Sequence, residues 1–166
     1  MALWRNGAFA QDDWQRFDDE AAIEGARAIV SLARWRRERQ TLRTGEVGVE
    51  IVAGAGAPEA LAEIADRPLI ALRFDKFSDG RAFSYAILLR QRHGFGGELR
   101  AVGDVLLDEM ALMIRCGFTA FEVSNEAVLK ALREDRLPKF PLAYQPGLCA
   151  AEALEPTRPW ARRLAG

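Results

Sequence analysis

A group of polar residues in the middle of the chain has the chemistry of an anion-binding site. Lys76 and Arg81 flank a short loop, and Arg100 and Asp104 lie near the end of a later apolar segment. Ammonium and guanidinium groups form charge-assisted hydrogen bonds with oxyanions, and helix N-termini attract the same ligands. We therefore expect a small oxyanion to bind at Lys76, Arg81 and Arg100. Asp104 belongs to the same predicted site. It is expected to cap a helix there, and its carboxylate must turn away in that cap or pair with an arginine for the anion to bind.

A second set of charges lies inside predicted strands. Glu50, Arg73, Arg100 and Glu122 all fall on the same side of their strands, opposite the apolar residues. Buried charges must pair with one another or meet water, because an isolated buried charge is very costly. Two interpretations stay open: a salt-bridge network that fills the interior of the fold, or a cavity that binds an anion.

Other chemistries have little support in the sequence. Cys116 and Cys149 do not form a CxxC pair, and His93 is the single histidine, so we expect no metal site and no bound cofactor. Cys116 is predicted at a helix C-terminus, where the helix dipole disfavours a thiolate. No complete catalytic signature is present, so the catalytic residues, if there are any, stay unknown.

The elements that must position these residues are five strand–helix units. Apolar segments and intervening amphipathic patterns predict strands at residues 28–31, 47–52, 69–74, 98–102 and 119–123. A doubly wound sheet would be almost continuously apolar, whereas these strands alternate between an apolar and a polar side. We therefore predict a partial TIM-like (β/α) barrel of parallel strands with helices outside. A flavodoxin-like three-layer sandwich is the alternative.

The two ends of the chain differ from this core. Asn6-Gly7 is the preferred two-residue turn of a β-hairpin, so we predict a hairpin arm at residues 1–17 that covers one edge of the sheet. Residues 26–136 form the predicted βα core. The Pro-rich residues 137–166 are unsuited to a long helix or a central strand. We interpret all 166 residues as a single domain.

Composition limits the choice of partners. The formal net charge of −1 and the pI near 5.9 give no overall electrostatic reason to bind nucleic acid or an anionic membrane. The N-terminal sequence lacks a long apolar stretch, and we expect a cytoplasmic protein. Five strands cannot close a barrel, so self-association or another stable partnership is also expected.

Three segments carry a family resemblance. They are residues 73–84 (RFDKFSDGRAFS), residues 97–108 (GELRAVGDVLLD) and residues 115–118 (RCGF). Together they closely resemble the bacterial domain of unknown function nine-three-four family, over about residues 28–125. The family commonly has Gln after the final Asp of the second segment, whereas this chain has Glu109.

The resemblance implies a functional setting. Genes of this family are typically found beside assimilatory sulfite reductase, and members are often labelled as oxidoreductases. It implies an accessory protein of assimilatory sulfite reduction that binds the sulfite reductase system and supports electron delivery. The alternative is a small enzyme or carrier that binds a sulfur oxyanion. The resemblance supplies no established catalytic residues.

Overall fold

Eight β-strands form one curled sheet in the computed structural model, which describes residues 1–23, 27–42, 46–52, 54, 57–75 and 80–138. The strands are β1 (Ala2–Arg5), β2 (Ala8–Ala10), β3 (Gln15–Arg16), β4 (Ala28–Ser31), β5 (Val47–Val52), β6 (Leu69–Phe74), β7 (Glu98–Gly103) and β8 (Ala120–Val123). The helices are α1 (Leu32–Glu38), α2 (Ala57–Ile64), α3 (Arg81–Gln91), α4 (Leu107–Arg115) and α5 (Glu126–Arg133). The spatial order is β2-β1-β8-β7-β6-β5-β4-β3.

The five strands β4 to β8 run parallel, and each of them is followed in the chain by one of the five helices. Their apolar side packs with the helices into the main core, in which Ile70, Leu72 and Val123 are fully buried, as the strand parity predicts. The other side is concave and carries the charged residues. The fold is therefore a partial (β/α) barrel, and the flavodoxin-like alternative is set aside.

The predicted N-terminal hairpin is present and extends the sheet. Asn6 and Gly7 have φ angles of 50° and 90°, which a tight two-residue hairpin turn requires. Strand β1 pairs antiparallel with β8, and Trp4 packs edge-on against Phe121 at 5.6 Å between ring centroids. The hairpin thus covers the β8 edge, and β3 covers the opposite edge by pairing with β4.

The connection from β2 to β3 forces the sheet to curl. These two strands lie at opposite edges of the eight-stranded sheet, and if the sheet were flat its edges would lie roughly 34 Å apart. The chain passes from Ala10 to Gln15 in five Cα steps, which span at most about 19 Å. Residues 11–16, which we call the strap, must therefore cross the concave face of a strongly curved sheet.

The start of α4 differs from the prediction. Helix α4 begins at Leu107 with Leu106 as its N-cap, so the prediction that Asp104 caps it is wrong. Gly103 has a φ angle of 90°, and this turn directs the Asp104 N–H to the Phe74 carbonyl at 2.8 Å. Helix α3 has Gly80 as its N-cap, and residues 76–79, which precede it, lie outside the described residues.

The side chain of Asn125 caps the start of α5. Asn125 Oδ1 accepts hydrogen bonds from the backbone N–H groups of Ala127 at 2.9 Å and Val128 at 3.4 Å. None of the described helices is long and apolar enough to cross a membrane. Most of the predicted Pro-rich tail, from residue 139 onward, lies outside the described residues.

Candidate functional site on the concave face

Arg100 is the centre of the charged group on the concave face. Its side chain is 0% exposed, yet it contacts three carboxylates. Nη1 and Nη2 donate to the two carboxylate oxygens of Asp12 at 2.8 and 3.0 Å, and Nη1 also donates to Glu122 at 2.9 Å. Nε donates to Glu98 at 2.8 Å. The paired contact with Asp12 is the bidentate geometry that a guanidinium forms with a carboxylate ligand.

Further ion pairs extend this contact across the concave face. Arg16 Nε donates to Glu50 at 2.6 Å, and its Nη1 and Nη2 donate to Glu122 at 3.1 Å each. Arg73 Nε donates to the other oxygen of Glu50 at 2.5 Å. At the opposite end, Arg5 pairs with Glu98 at 3.3 Å.

The resulting network is electrically balanced. Four arginines face four carboxylates, and the eight members are Arg5, Asp12, Arg16, Glu50, Arg73, Glu98, Arg100 and Glu122. Breaking one partner out of such a network leaves a buried charge without compensation, which is far more costly than losing a surface pair. The concave face is therefore an internally compensated site.

The two central arginines stay charged. Burial by itself lowers the pKa of Arg100, but hydrogen bonds to Asp12 and Glu122 and the charge of Glu98 outweigh it and raise the pKa above its ordinary value. For Arg16, burial is likewise opposed by Glu122 and Glu50, and the pKa is again raised. Neither arginine can act as a general acid or base near neutral pH, because each holds its proton tightly.

The strap contributes to this site through alternate residues. Asp12 and Arg16 face the network, and Trp14 packs on a small apolar cluster on the concave side. That cluster consists of Ile29, Leu69, Ala71 and Val102. Asp13 is 56% exposed and pairs at the rim with Arg27 at 3.6 Å. A two-residue period is the signature of an extended segment lying against a surface.

Comparison with known proteins gives a family but no function. The profile of a family described as "Bacterial protein of unknown function" matches residues 48–154, which is more than half of the chain. The chain belongs to this family, DUF934. No curated protein and no solved structure matches the chain. The matched region contains Glu50, Arg73, Arg100 and Glu122, whereas the strap precedes it.

The structure of this DUF934 protein brings the four predicted interior charges into one network. Glu50 pairs with Arg73, and Arg100 pairs with Glu122. Arg16 links the two pairs by contacting both glutamates. The four side chains therefore lie in one ion-pair network.

The residues predicted to bind an oxyanion are not assembled in one place. Arg100 is fully buried beneath the strap, with its guanidinium held by Asp12, Glu98 and Glu122. Arg81 is exposed at the first position of α3, and Asp104 is exposed at the end of β7. Lys76 lies outside the described residues. The oxyanion site stays a prediction, and the contacts of Arg100 do not favour its part in it.

Sequence reasoning missed the partners that the strap supplies to the DUF934 network. The sequence pattern places Asp12 and Arg16 in the hairpin arm, whereas in the structure they contact Arg100 and Glu122, 88 and 106 positions away. The alternation of acid, aromatic and base at residues 12, 14 and 16 is typical of an extended segment with one side against a surface, but it does not identify the partners.

A second concave feature lies on the outside, between α2 and α3. It is a shallow cleft of about 330 Å³, lined by Pro58, Glu59, Ala62, Leu88, Arg92 and His93. Within the described ranges, no group of His, Cys, Asp and Glu side chains could hold a metal ion. Cys116 is buried, and burial raises the pKa of its thiol, so its nucleophilicity is low.

Proposed function

We propose that this protein is an accessory protein of assimilatory sulfite reduction, which acts by binding a protein partner and supports electron delivery to sulfite reductase. The proposal combines the genomic setting implied by the family resemblance with one structural observation. The strap and a balanced set of ion pairs fill the concave face, where a small substrate would otherwise enter a half-barrel. A filled interior favours a role in binding over a role in small-molecule catalysis.

Binding to purified sulfite reductase tests this proposal. The full chain is immobilised, and the assimilatory sulfite reductase of the same bacterium is titrated over it in an optical binding assay. We expect saturable binding in the range of transient electron-transfer complexes, and faster sulfide formation from the physiological electron donor when the protein is added. An unrelated acidic protein of similar size is the control. No binding together with an unchanged rate of sulfide formation would contradict the proposal.

A small carrier or enzyme for a sulfur oxyanion is the second candidate. Arg81 is exposed at the start of an 11-residue helix, whose N-terminal N–H groups favour an anion. Calorimetric titration with sulfite and sulfate should compare the wild type with Lys76→Ala and Arg81→Ala. Loss of a charge-assisted contact would weaken binding by about 1.5–3 kcal/mol, or roughly 10- to 150-fold. Arg36→Ala on α1 is the matched control, since Arg36 is an exposed arginine paired with Glu63.

Self-association stays a prediction. It is expected because a five-stranded sheet has two edges, of which the predicted hairpin covers one. In the structure the hairpin covers the β8 edge and β3 covers the β4 edge. The new edges are short, three residues in β2 and two in β3, and short edge strands pair poorly with other chains. Light scattering of the purified chain, alone and with sulfite reductase, measures both kinds of association.

A further inference from the structure

The strap lies on the concave face as a bound peptide lies on its receptor. Its side chains at positions 12, 14 and 16 face the sheet, and each meets a complementary partner. Asp12 meets the guanidinium of Arg100, Trp14 meets the apolar cluster, and Arg16 meets two carboxylates. Recognition of extended peptides commonly works in this way, with alternate side chains giving the specificity.

The end of the strap and the residue after it also form main-chain hydrogen bonds with the sheet edge. Gln15 N–H donates to the Arg27 carbonyl at 2.9 Å, and Phe17 N–H donates to the Ile29 carbonyl at 3.0 Å. These bonds follow the edge of β4, so the carbonyls could accept from any extended segment placed there. An edge strand with free main-chain groups is the standard template for adding a peptide strand.

The strap is held less firmly than the surface beneath it. Among the described residues, the main-chain groups of residues 12–14 form one hydrogen bond, from Trp14 N–H to Asp12 Oδ1 at 3.1 Å. The side chains of Asp12 and Arg16 are 31% and 32% exposed, whereas Arg100 below them is fully buried. Water can compete for the outer side of these ion pairs, so we expect local opening of the strap to require less free energy than unfolding of the sheet.

We propose that the strap is an intramolecular occupant of a peptide-binding face, and that an extended segment of a partner protein displaces it. The segment carries an acid, an aromatic residue and a base at alternate positions, in that order along the chain. This inference rests on the proposed function, because it names the chemistry of the partner that such an accessory protein would bind. The order of acid and base matters. If the two were exchanged, a base would lie opposite Arg100, and an acid would lie opposite Glu50 and Glu122.

Peptide binding to the full chain tests the inference. The probe is a fluorescein-labelled peptide with the sequence of residues 10–17 (AQDDWQRF), followed by fluorescence anisotropy. The strap is weakened by the double substitution Asp12→Ala and Arg16→Ala, which changes no residue of the receiving face. Arg100 keeps Glu98 and Glu122 as partners, and Glu50 keeps Arg73. We expect the variant to bind the peptide at least about tenfold more tightly than the wild type does, because the internal competitor has lost its charge-assisted contacts. The control is a peptide of the same composition in which the residues corresponding to Asp12 and Arg16 are exchanged (AQRDWQDF).

Two results would overturn the inference. One is absence of binding by a double variant whose circular dichroism and thermal transition show that it is folded. The other is equal binding of both peptides. The peptide assay contains no sulfite reductase, so its failure would leave the sulfite reductase proposal standing. In the same way, absence of binding to sulfite reductase would leave the peptide result standing.

A measurement on the wild type keeps the inference testable if the double variant does not fold. Amide hydrogen exchange should show that residues 12–14 exchange through local opening, orders of magnitude faster than the amides of β7. Protection of these amides equal to that of β7 would mean that the strap leaves only on global unfolding. That result would overturn the inference.

Discussion

Arg100 shows how a fully buried charge is retained in this fold. The guanidinium has three carboxylate partners, two from neighbouring positions on the sheet and one from the strap. Its partners are in turn paired with Arg5 and Arg16, so no acid in the group is left with uncompensated charge. Arg100 thus holds the strap on the sheet through ion pairs. The main chain of residues 12–14 adds little to this attachment, because its one hydrogen bond among the described residues is to Asp12 itself.

Replacing Arg100 should be costly. The substitution Arg100→Met keeps much of the volume but leaves Asp12, Glu98 and Glu122 facing one another without their shared cation. We expect the free energy of unfolding to fall by about 3–5 kcal/mol, measured by urea denaturation. Arg36→Met is the matched control, because Arg36 pairs with Glu63 at 2.6 Å while 42% exposed, and such a surface pair contributes about 1 kcal/mol or less. Equal effects of the two substitutions would contradict the assigned role.

Ionisation of Glu109 should make the stability of the fold depend on pH. Burial, followed by the charges of Asp108 and Asp104, raises its pKa above the ordinary value of 4.5. The folded state therefore binds this proton more tightly than the unfolded state, so the stabilisation is present at acid pH and is lost as pH rises through the folded-state pKa. Glu109→Gln should consequently gain stability relative to the wild type as pH rises from about 4 to about 7. A stability difference that is constant over this range would contradict the raised pKa.

At the scale of elements, Gly103 sets the turn after β7. Its φ angle is 90°, and a Cβ atom there would clash with the Phe74 carbonyl oxygen. We expect Gly103→Ala to destabilise the fold by about 1–3 kcal/mol from backbone strain alone, with the steric clash adding to this, as measured by chemical denaturation. Gly96→Ala is the control, because a Cβ atom at Gly96 meets open space, and its effect should stay within about 0.5 kcal/mol.

The alternation of inward-facing and outward-facing side chains along the strap can be tested by shifting its register. Deleting Asp13 shifts every later strap residue by one position, so Trp14 and Arg16 can no longer face the concave side while Asp12 stays on Arg100. We expect a loss on the order of 3 kcal/mol in the free energy of unfolding, because the packing of Trp14 and the pairing of Arg16 are both lost. Asp13→Ala keeps the register and loses only an exposed pair with Arg27. A deletion that is no worse than this substitution would show that the alternation is not used.

The elements differ in how well the sequence predicts them. The five parallel strands were predicted nearly to the residue, because alternation and glycine stops are local signals. The position of the strap was not predicted, since β3 has two residues and Asp12-Asp13 is a common turn composition. Its partners are supplied by tertiary structure, and Arg100 lies 88 positions away from Asp12. The charges of the interior could be predicted from strand parity, but their compensation by the strap could not.

At the scale of the whole molecule, one short connection determines the shape. Crossing from one sheet edge to the other in residues 11–14 requires a curled sheet, and the curl brings four carboxylates and four arginines onto one concave face. The same connection fills that face, which leaves the outer surface and the strap itself as the places where a partner can act. The contact between Asp12 and Arg100 joins this connection to the interior charges, and the proposed binding role concerns the opening of that contact.

A double-mutant cycle on Asp12 and Arg100 tests that contact directly. The free energies of unfolding of the wild type, Asp12→Ala, Arg100→Met and the double variant are measured by urea denaturation. If the strap closes the concave face through this ion pair, the two substitutions should be non-additive, with a coupling energy of about 1–3 kcal/mol. Effects that add within about 0.5 kcal/mol would mean that Asp12 and Arg100 do not interact, and would contradict a strap held across the half-barrel.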